Sequence, residues 1–312
     1  MFKNPLVQLS PMALGTMWFL LSLVLDNVND LIMKYVGGSM GSQQVIFIRF
    51  LSSTVMLLPL MILRHSSKKL TQESTQEAKT HIHIHIVRSF LLYMGMVLWC
   101  FGLSYVPMAM ATSINFIIPI FILIFARFFL QERLTFGKIS STFLGFLGVL
   151  VVILPWSQKN GVGQIFGSKV LILSAMIFAL LDIVNKRFVE KESTLSMLFY
   201  SGFFVTLFSA IPAGMQWVSP STSSVMFLIL LGLTGNFILY CLLKAFSYVE
   251  ITAVAPYRYL ELTLSAFLGY AVFSEIPHTT TYMGAGLIAL SSLILIYEKP
   301  LNRWLSDFRI FG

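Results

Sequence analysis

Charged residues are scarce in this chain, and their scarcity excludes an ordinary water-soluble protein. Only 11% of the 312 residues are Asp, Glu, Lys or Arg, whereas 57% are hydrophobic. Soluble domains usually carry about 25% charged residues, and the mean hydropathy here is +0.83. Such a chain cannot present a charged shell to water, so we expect a lipid bilayer to be its solvent.

Cysteine is almost absent as well. The chain has two cysteines, Cys100 and Cys241, and both fall inside apolar runs. A disulfide framework is therefore excluded, and both are interpreted as small buried apolar residues. A glycine-rich phosphate loop and a soluble domain for ATP hydrolysis are also missing, which excludes a primary pump. The first apolar run is too long for the core of a cleavable signal peptide, so none is expected.

Long apolar runs are what the sequence does contain. A helix needs about 20 apolar residues to cross about 30 Å of hydrocarbon, and continuous runs exclude the alternating pattern of a barrel. We therefore predict an all-α membrane protein with ten transmembrane helices. The predicted spans are residues 12–33, 44–63, 86–104, 109–129, 136–155, 168–188, 196–214, 223–243, 252–273 and 280–297.

Lys and Arg are distributed unevenly between the gaps that separate these spans. Counted in the gaps, the tails and the outermost residues of the spans, sixteen fall on the side that includes both termini and three on the opposite side, while Arg49 and Arg258 lie deeper within spans. The positive-inside rule therefore predicts that both termini are cytoplasmic. The same basic residues give the chain its net charge of +8. Because their role is to orient the helices, this charge does not indicate a nucleic-acid-binding protein.

The longest polar segment, residues 64–85, is predicted to be a flexible cytoplasmic loop. Within it His81, His83 and His85 alternate, so an extended chain would present all three on one side. The three histidines are interpreted either as a metal site or as part of a solvated segment that leads into the third helix. We predict that they bind no metal.

The two halves of the chain resemble each other. Ser22, Asp30 and Lys34 recur at an offset of 152, and Tyr105, Val106 and Glu132 recur at an offset of 143. Because each half contributes an odd number of helices, the second half enters the membrane from the opposite side. We predict two inverted five-helix repeats, residues 1–155 and 156–312, with a solute site near mid-membrane, as in secondary transporters.

Two segments resemble the signature regions of the drug/metabolite transporter superfamily in its EamA-type ten-helix branch. They are LSYVPMAMATSINFIIPIFILIFARFFLQERLTFGK and FSYVEITAVAPYRYLELTLSAFLGYAVFSEIP. Four further segments resemble the S-adenosylmethionine uptake carriers of obligate intracellular bacteria: WFLLSLVLDNVNDLIMKYVG, LLDIVNKRFV, SMLFYS and LLKAFSYVEITAVAPYRYLEL. The 64–85 loop has no counterpart and looks like an insertion.

This resemblance implies a multi-pass protein of the bacterial inner membrane that imports S-adenosylmethionine by alternating access, in possible exchange for S-adenosylhomocysteine. The alternatives are an EamA-type exporter of amino acids or other small metabolites, a membrane enzyme and a channel. The expected partners are the small-molecule substrate and the lipid bilayer, with the chain acting as a monomer or weak homodimer. No cofactor, no enzymatic activity and no nucleic-acid partner are expected.

Ionisable residues inside spans are costly, so each requires a reason. Asp26 and Asp30 lie one turn apart on the first helix, and Asp182 occupies the place on the sixth helix that matches Asp30. Asp30 and Asp182 are interpreted either as two mirror-related gates or as partners of a lysine four residues later. Asp26 has no lysine at that spacing.

The ninth predicted helix carries Arg258 and Glu261, three residues apart and able to pair with each other. A structural ion pair is one interpretation. In the other, Arg258 binds the solute carboxylate through a two-pronged hydrogen bond, and aromatic residues stack on adenine or hold the sulfonium. The predicted substrate-binding residues are Asp26, Asn27, Asp30, Tyr93, Trp99, Asn115, Asp182, Asn185, Tyr240, Tyr257, Arg258, Tyr259 and Glu261.

Overall fold

The structure is a computed structural model. It describes residues 10–36, 40–70, 81–106, 114–153, 162–264, 267 and 283–294. Within these residues every regular element is a helix. The longer helices are α1 (Pro11–Val36), α2 (Ser42–Leu70), α3 (Ile82–Leu103), α5 (Phe136–Ile153), α6 (Val162–Phe188), α7 (Thr194–Met215) and α8 (Thr222–Tyr248).

Shorter helices supply the remaining regular structure. Helix α4 (Ile118–Phe125) continues into a π-helical turn, Ala126–Leu130. Helix α9 (Ile251–Val254) continues into a 3-10 turn, Ala255–Tyr259. The last described helix is α10 (Met283–Ile294).

Six helices in the described part of the chain are long and apolar enough to cross a membrane. They are Pro11–Asn29, Ser42–Arg64, Ile82–Gly102, Ile165–Phe188, Thr194–Met215 and Thr222–Tyr248, and they match predicted spans 1, 2, 3, 6, 7 and 8. The all-α membrane fold is thereby confirmed. The count of ten spans stays a prediction, because spans 4, 5, 9 and 10 extend beyond the described residues.

Many large apolar side chains point outward, as a bilayer permits and water does not. Phe136 is 85% exposed, Met215 81% and Ile211 76%. Since a soluble domain would bury such side chains, this surface fits contact with acyl chains.

The helices fall into two compact units. Unit 1 comprises Met1–Tyr93 and Val184–Glu250, and unit 2 comprises Met94–Ile183 and Ile251–Gly312. Within unit 1, α8 packs on both α1 and α2, and α2 also packs on α7. A Cβ added to Gly232 of α8 would lie 2.6 Å from the carbonyl oxygen of Arg49, so glycine is required for this close approach of backbones.

Helices of unit 2 surround a small apolar core. Phe116, Val149, Tyr259 and Ile288 form it, and each is at most 3% exposed. Ser141 of α5 donates a hydrogen bond of 2.7 Å to the carbonyl of Ser291 on α10. These contacts bring the 3-10 turn and α10 against α5.

The predicted 64–85 loop is wrong at both of its ends. Helix α2 continues to Leu70 and α3 begins at Ile82, because His, Ser and Lys residues are compatible with a helix that extends beyond the bilayer. His85 is fully buried and Arg88 is 1% exposed within α3. Arg88, which was counted with the basic residues of the gap between spans 2 and 3, therefore lies in the helix, and the charge asymmetry persists without it.

Candidate functional site

Asp182 and Arg258 form an ion pair inside unit 2. Asp182 lies on α6, one residue before the chain passes from unit 2 into unit 1 after Ile183. Arg258 lies in the 3-10 turn that follows α9. The Nη2 group of Arg258 donates to Oδ2 of Asp182 at 2.7 Å, and their side chains are 18% and 8% exposed. The structure thus brings two predicted site residues together. Arg258 pairs with Asp182 on another helix.

One edge of the Arg258 guanidinium is only partly used. Its Nε is buried without a hydrogen-bond partner, while Nη2, on the same edge, binds Asp182. This edge is the one that can bind a carboxylate by two parallel hydrogen bonds. A buried, unpaired donor costs about 1–3 kcal/mol, so the arrangement favours an additional acceptor.

The two tyrosines that flank Arg258 in the 3-10 turn are buried. Tyr259 is fully buried in the core of unit 2, and a Cβ on Gly145 would lie 2.2 Å from its ring. Its ring centroid lies 6.1 Å from that of Phe116, so in this conformation no face of Tyr259 is open for stacking on adenine. Tyr257 is 3% exposed.

Among the described residues of unit 2, three other side-chain polar atoms are buried without hydrogen-bond partners. They are Oδ1 of Asn115, the Tyr259 hydroxyl and Oγ1 of Thr263. Asn115 was a predicted site residue, whereas Thr263 was not. Glu261 is half-buried and has an interaction of its own. Trp99 is partly buried and packs on an apolar cluster formed by Val106 and Leu171.

Six predicted site residues lie in unit 1, and the sixth, Asn185, is described below with Arg88. Asn27 is 3% exposed and donates to the Leu23 carbonyl of its own helix at 2.9 Å. Asp26 is half-buried and has an interaction partner, while the side chain of Asp30 lies outside the described residues. The fourth and fifth are Tyr93 and Tyr240.

Tyr93 and Tyr240 are both held by protein contacts. The Tyr93 hydroxyl donates to Oε1 of Gln43 at 3.1 Å. Tyr240 packs edge-on against Trp18, with centroids 5.8 Å apart, and the Lys244 ammonium lies 5.9 Å from its ring centroid. Tyr240 thus already takes part in a cation–π contact, the interaction that we predicted for the sulfonium.

Asn185, another predicted site residue, binds a buried arginine that the sequence analysis missed. Nε of Arg88 donates to Oδ1 of Asn185 at 2.7 Å. Nη1 of Arg88 lies 3.4 Å from Nδ1 of His85, and because arginine only donates, Nδ1 is the acceptor. The signal was present, since Arg88 stands between the apolar pairs 86–87 and 90–91.

Glu192, in the turn between α6 and α7, extends this network. Its Oε1 accepts from the His81 backbone N–H at 3.0 Å and lies 3.1 Å from the His81 ring. Its Oε2 lies 3.4 Å from Nε2 of His85. Burial alone would raise the pKa of Glu192, but the hydrogen bonds from His81 and the charge of His85 outweigh it, so the pKa lies below its ordinary value.

In the part of the chain that the structure describes, no three His, Cys, Asp or Glu side chains converge on a position that could hold a metal ion. His81, His83 and His85 do not present a common face. His85 turns inward, and the rings of His81 and His83 meet edge to face at 5.7 Å.

Comparisons with known proteins identify a family of transporters. A model described as the EamA-like transporter family matches residues 13–154 and again 165–297. The chain is 42% identical over 286 residues to an S-adenosylmethionine uptake transporter of Rickettsia prowazekii, covering 91% of this chain and 93% of that protein. It is 41% identical to the protein of the same name in Rickettsia conorii, covering 93% and 95%.

A crystal structure with 16% sequence identity has the same fold. It aligns with a TM-score of 0.78 over 93% of this chain and 98% of the other. Together, the comparisons confirm the resemblance drawn from the sequence and a multi-pass protein of the bacterial inner membrane. They assign the chain to transport rather than to enzymatic catalysis.

Proposed function

Because the chain belongs to the EamA-like transporter family, we propose that it is a secondary carrier that imports S-adenosylmethionine across the inner membrane by alternating access. The name of the relatives at 41–42% identity over most of both chains supports this substrate. Exchange for S-adenosylhomocysteine is part of the proposal, because the two solutes share every group except the sulfonium methyl.

The observation that carries the proposal is the Asp182–Arg258 pair. An α-amino acid presents a carboxylate and an ammonium a few Å apart, and an Asp–Arg pair presents the complementary charges. The single 2.7 Å bond between Nη2 and Oδ2 leaves the Arg258 Nε without a partner. This edge is suited to a solute carboxylate, which would bind both N–H groups in parallel.

Solute binding is then an exchange of partners. The solute carboxylate takes the Nε–Nη2 edge of Arg258, and the solute ammonium takes the carboxylate of Asp182. No charge is left unpaired in low dielectric, where removing one member of a buried pair costs about 3–5 kcal/mol. The Asp182–Arg258 bond therefore stabilises the empty site, and the carboxylate and ammonium of the solute can displace this bond.

The remaining predicted site residues are proposed for the rest of the solute. Asp26, Asp30 and Glu261 supply negative charge for the sulfonium and ammonium, and Asn27, Asn115 and Asn185 supply polar edges. Tyr93, Trp99, Tyr240, Tyr257 and Tyr259 are the proposed aromatic contacts. Among them Tyr240, already paired with an ammonium, is best suited to the sulfonium, whereas the enclosed Tyr259 would require rearrangement.

The proposed architecture is ten helices in two inverted five-helix repeats, residues 1–155 and 156–312. Two matches to one family model, one in each half, support it. Helices α2 and α7 also run antiparallel, since Gln44 lies against Val218 and Arg64 against Ser193. A two-fold axis in the membrane plane produces this crossing of equivalent helices.

The orientation has a direct test. Both termini and the centre of the 64–85 segment are proposed to be cytoplasmic. Single cysteines at positions 75 and 160 of a cysteine-free protein should then react with an impermeant reagent from opposite sides. Labelling of both from the periplasm would refute this orientation.

Transport itself is tested with purified protein in liposomes. Vesicles preloaded with unlabelled S-adenosylmethionine should accumulate the labelled solute transiently and saturably. S-adenosylhomocysteine should compete and free methionine should not. Counterflow of amino acids without S-adenosylmethionine would instead support the alternative of an EamA-type exporter, and unitary ion currents would indicate a channel.

A further inference from the structure

Glu132 lies where the chain reverses direction after the π-helical turn of unit 2. The preceding residue, Gln131, has φ = 56°, a left-handed conformation, and its N–H closes the turn on the Ala126 carbonyl. The reversal directs Glu132 inward, and its side chain is buried at 7% exposure. A carboxylate in this setting requires several hydrogen-bond donors.

The beginning of α9 provides those donors. Oε1 of Glu132 accepts from the Ile251 N–H at 3.0 Å, and Oε2 accepts from the Thr252 N–H at 3.1 Å. The Thr252 hydroxyl donates to the same Oε2 at 2.5 Å and accepts from the Lys138 ammonium at 2.7 Å. Lys138 also donates to the Arg133 carbonyl at 3.1 Å.

These contacts satisfy groups that a helix start leaves unpaired. The first N–H groups of a helix have no partner within it, and in a bilayer each unpaired group is costly. Glu132 supplies acceptors for two of these N–H groups, those of Ile251 and Thr252, from a distant part of the chain. The hydroxyl of Thr252 then ties the helix start to Lys138 on α5.

The position of Arg258 depends on this attachment. Only five residues lie between Thr252 and Arg258, and they form continuous helical turns without a loop. A shift or rotation of the helix start is therefore transmitted to the guanidinium. Because a bidentate carboxylate contact tolerates little misalignment, the edge of Arg258 is sensitive to such a shift.

We propose that Glu132, Thr252 and Lys138 form a polar clamp that orients the Arg258 edge for the solute carboxylate. In this clamp Glu132 is a positioning residue that acts through α9 and makes no solute contact. This inference rests on the proposed function for the identity of the solute. The clamp itself does not depend on it.

The first experiment measures the clamp without any solute. In the full-length protein in nanodiscs, amide hydrogen exchange is followed by mass spectrometry for a peptide that contains residues 251–258. Glu132→Gln keeps the shape but replaces one acceptor oxygen by a donor, so exchange in this peptide should become about tenfold faster, as expected for a loss of about 1.4 kcal/mol. Glu190→Gln removes an exposed carboxylate and should leave exchange unchanged.

The second experiment separates positioning from a general structural role. KM is measured for S-adenosylmethionine and for its analogue that lacks only the carboxylate. Glu132→Gln should raise KM for the first about tenfold and for the analogue less than twofold, since a misoriented Arg258 affects only the carboxylate. Thr252→Val should act in the same direction, and Thr252→Ser, which keeps the hydroxyl, should resemble the wild type.

The outcomes are distinguishable. Equal loss for both solutes would overturn the positioning role and leave Glu132 a structural cap. Unchanged exchange in peptide 251–258 would overturn the clamp. If Glu132→Gln does not fold, the Thr252→Val and Thr252→Ser pair decides by the same two measurements. Failure of the wild type to take up S-adenosylmethionine would refute the proposed function, while hydrogen exchange would still decide the clamp.

Discussion

Arg88 of unit 1 and Arg258 of unit 2 are both largely withdrawn from solvent, yet their hydrogen bonds differ. The Nε of Arg88 donates to Asn185 at 2.7 Å, and its Nη1 faces His85. The Nε of Arg258 has no partner, although its Nη2 binds Asp182. A buried arginine whose donors are satisfied by the protein stabilises the fold, whereas one with an open edge can also receive a ligand.

The largest expected effect tests this difference by the same substitution at both arginines. Arg258→Lys should lower kcat/KM for S-adenosylmethionine by about 100-fold, because lysine cannot provide two parallel N–H groups and hydrogen bonds to charged groups contribute about 1.5–3 kcal/mol each. Arg88→Lys should lower thermal stability but change uptake per folded molecule less than threefold. Comparable losses of uptake in the two variants would contradict the assignment of Arg258 to solute binding and of Arg88 to stability.

A second prediction asks whether the Asp182–Arg258 pair is needed for folding or for transport. Arg258→Ala should destabilise the protein by about 3–5 kcal/mol, because Asp182 would keep a buried charge without its partner. The double variant Asp182→Leu, Arg258→Leu should recover stability in a thermal melt but not uptake. Wild-type uptake by the double variant would show that the pair is structural and that the solute binds elsewhere.

A smaller effect is expected at Asp26 of unit 1, which we propose interacts with the sulfonium. Asp26→Asn removes one charge with little change in shape and should weaken binding of S-adenosylmethionine by about 1 kcal/mol, or fivefold. S-adenosylhomocysteine, whose sulfur is uncharged, should bind nearly as before in a competition assay. Equal loss for both solutes would place Asp26 at the amino-acid end, and no loss for either would exclude it from the site.

The sequence predicted the helical membrane fold and the family well, because apolar length and polar motifs are local signals. It also selected both members of the Asp182–Arg258 pair. It offered Glu261 as a partner of Arg258 from spacing alone, since residues three apart share a helix face. The contact with Asp182 joins positions 76 residues apart, and Arg258 reaches it from the 3-10 turn that continues α9.

Two errors have a common physical cause. His85 was assigned to the 64–85 loop and Arg88 was counted with the basic residues of the same gap, because polar residues at the end of a span resemble loop residues in composition. Whether such a residue extends into water or turns inward depends on partners from distant segments, here Asn185 and Glu192. Single-sequence patterns contain no information about those partners.

The smallest expected effect concerns Glu192, at the edge of the Arg88 network. Its pKa lies below the ordinary value, because hydrogen bonds from His81 and the charge of His85 outweigh the effect of burial. A lowered pKa in the folded state means that the carboxylate stabilises the protein above the unfolded-state pKa, about 4.3, and that this contribution is lost as the pH falls through the folded-state value. Glu192→Gln should therefore lower the melting temperature by about 2–4 °C at pH 7, and the difference from wild type should shrink between about pH 5 and pH 3.

Glu190→Gln, an exposed neighbour, should produce no such pH-dependent difference. If Glu192→Gln instead reduced uptake at pH 7 as strongly as Arg258→Lys, Arg88 and Glu192 would belong to the transport site together with Asn185, and the contrast between the two arginines would fail.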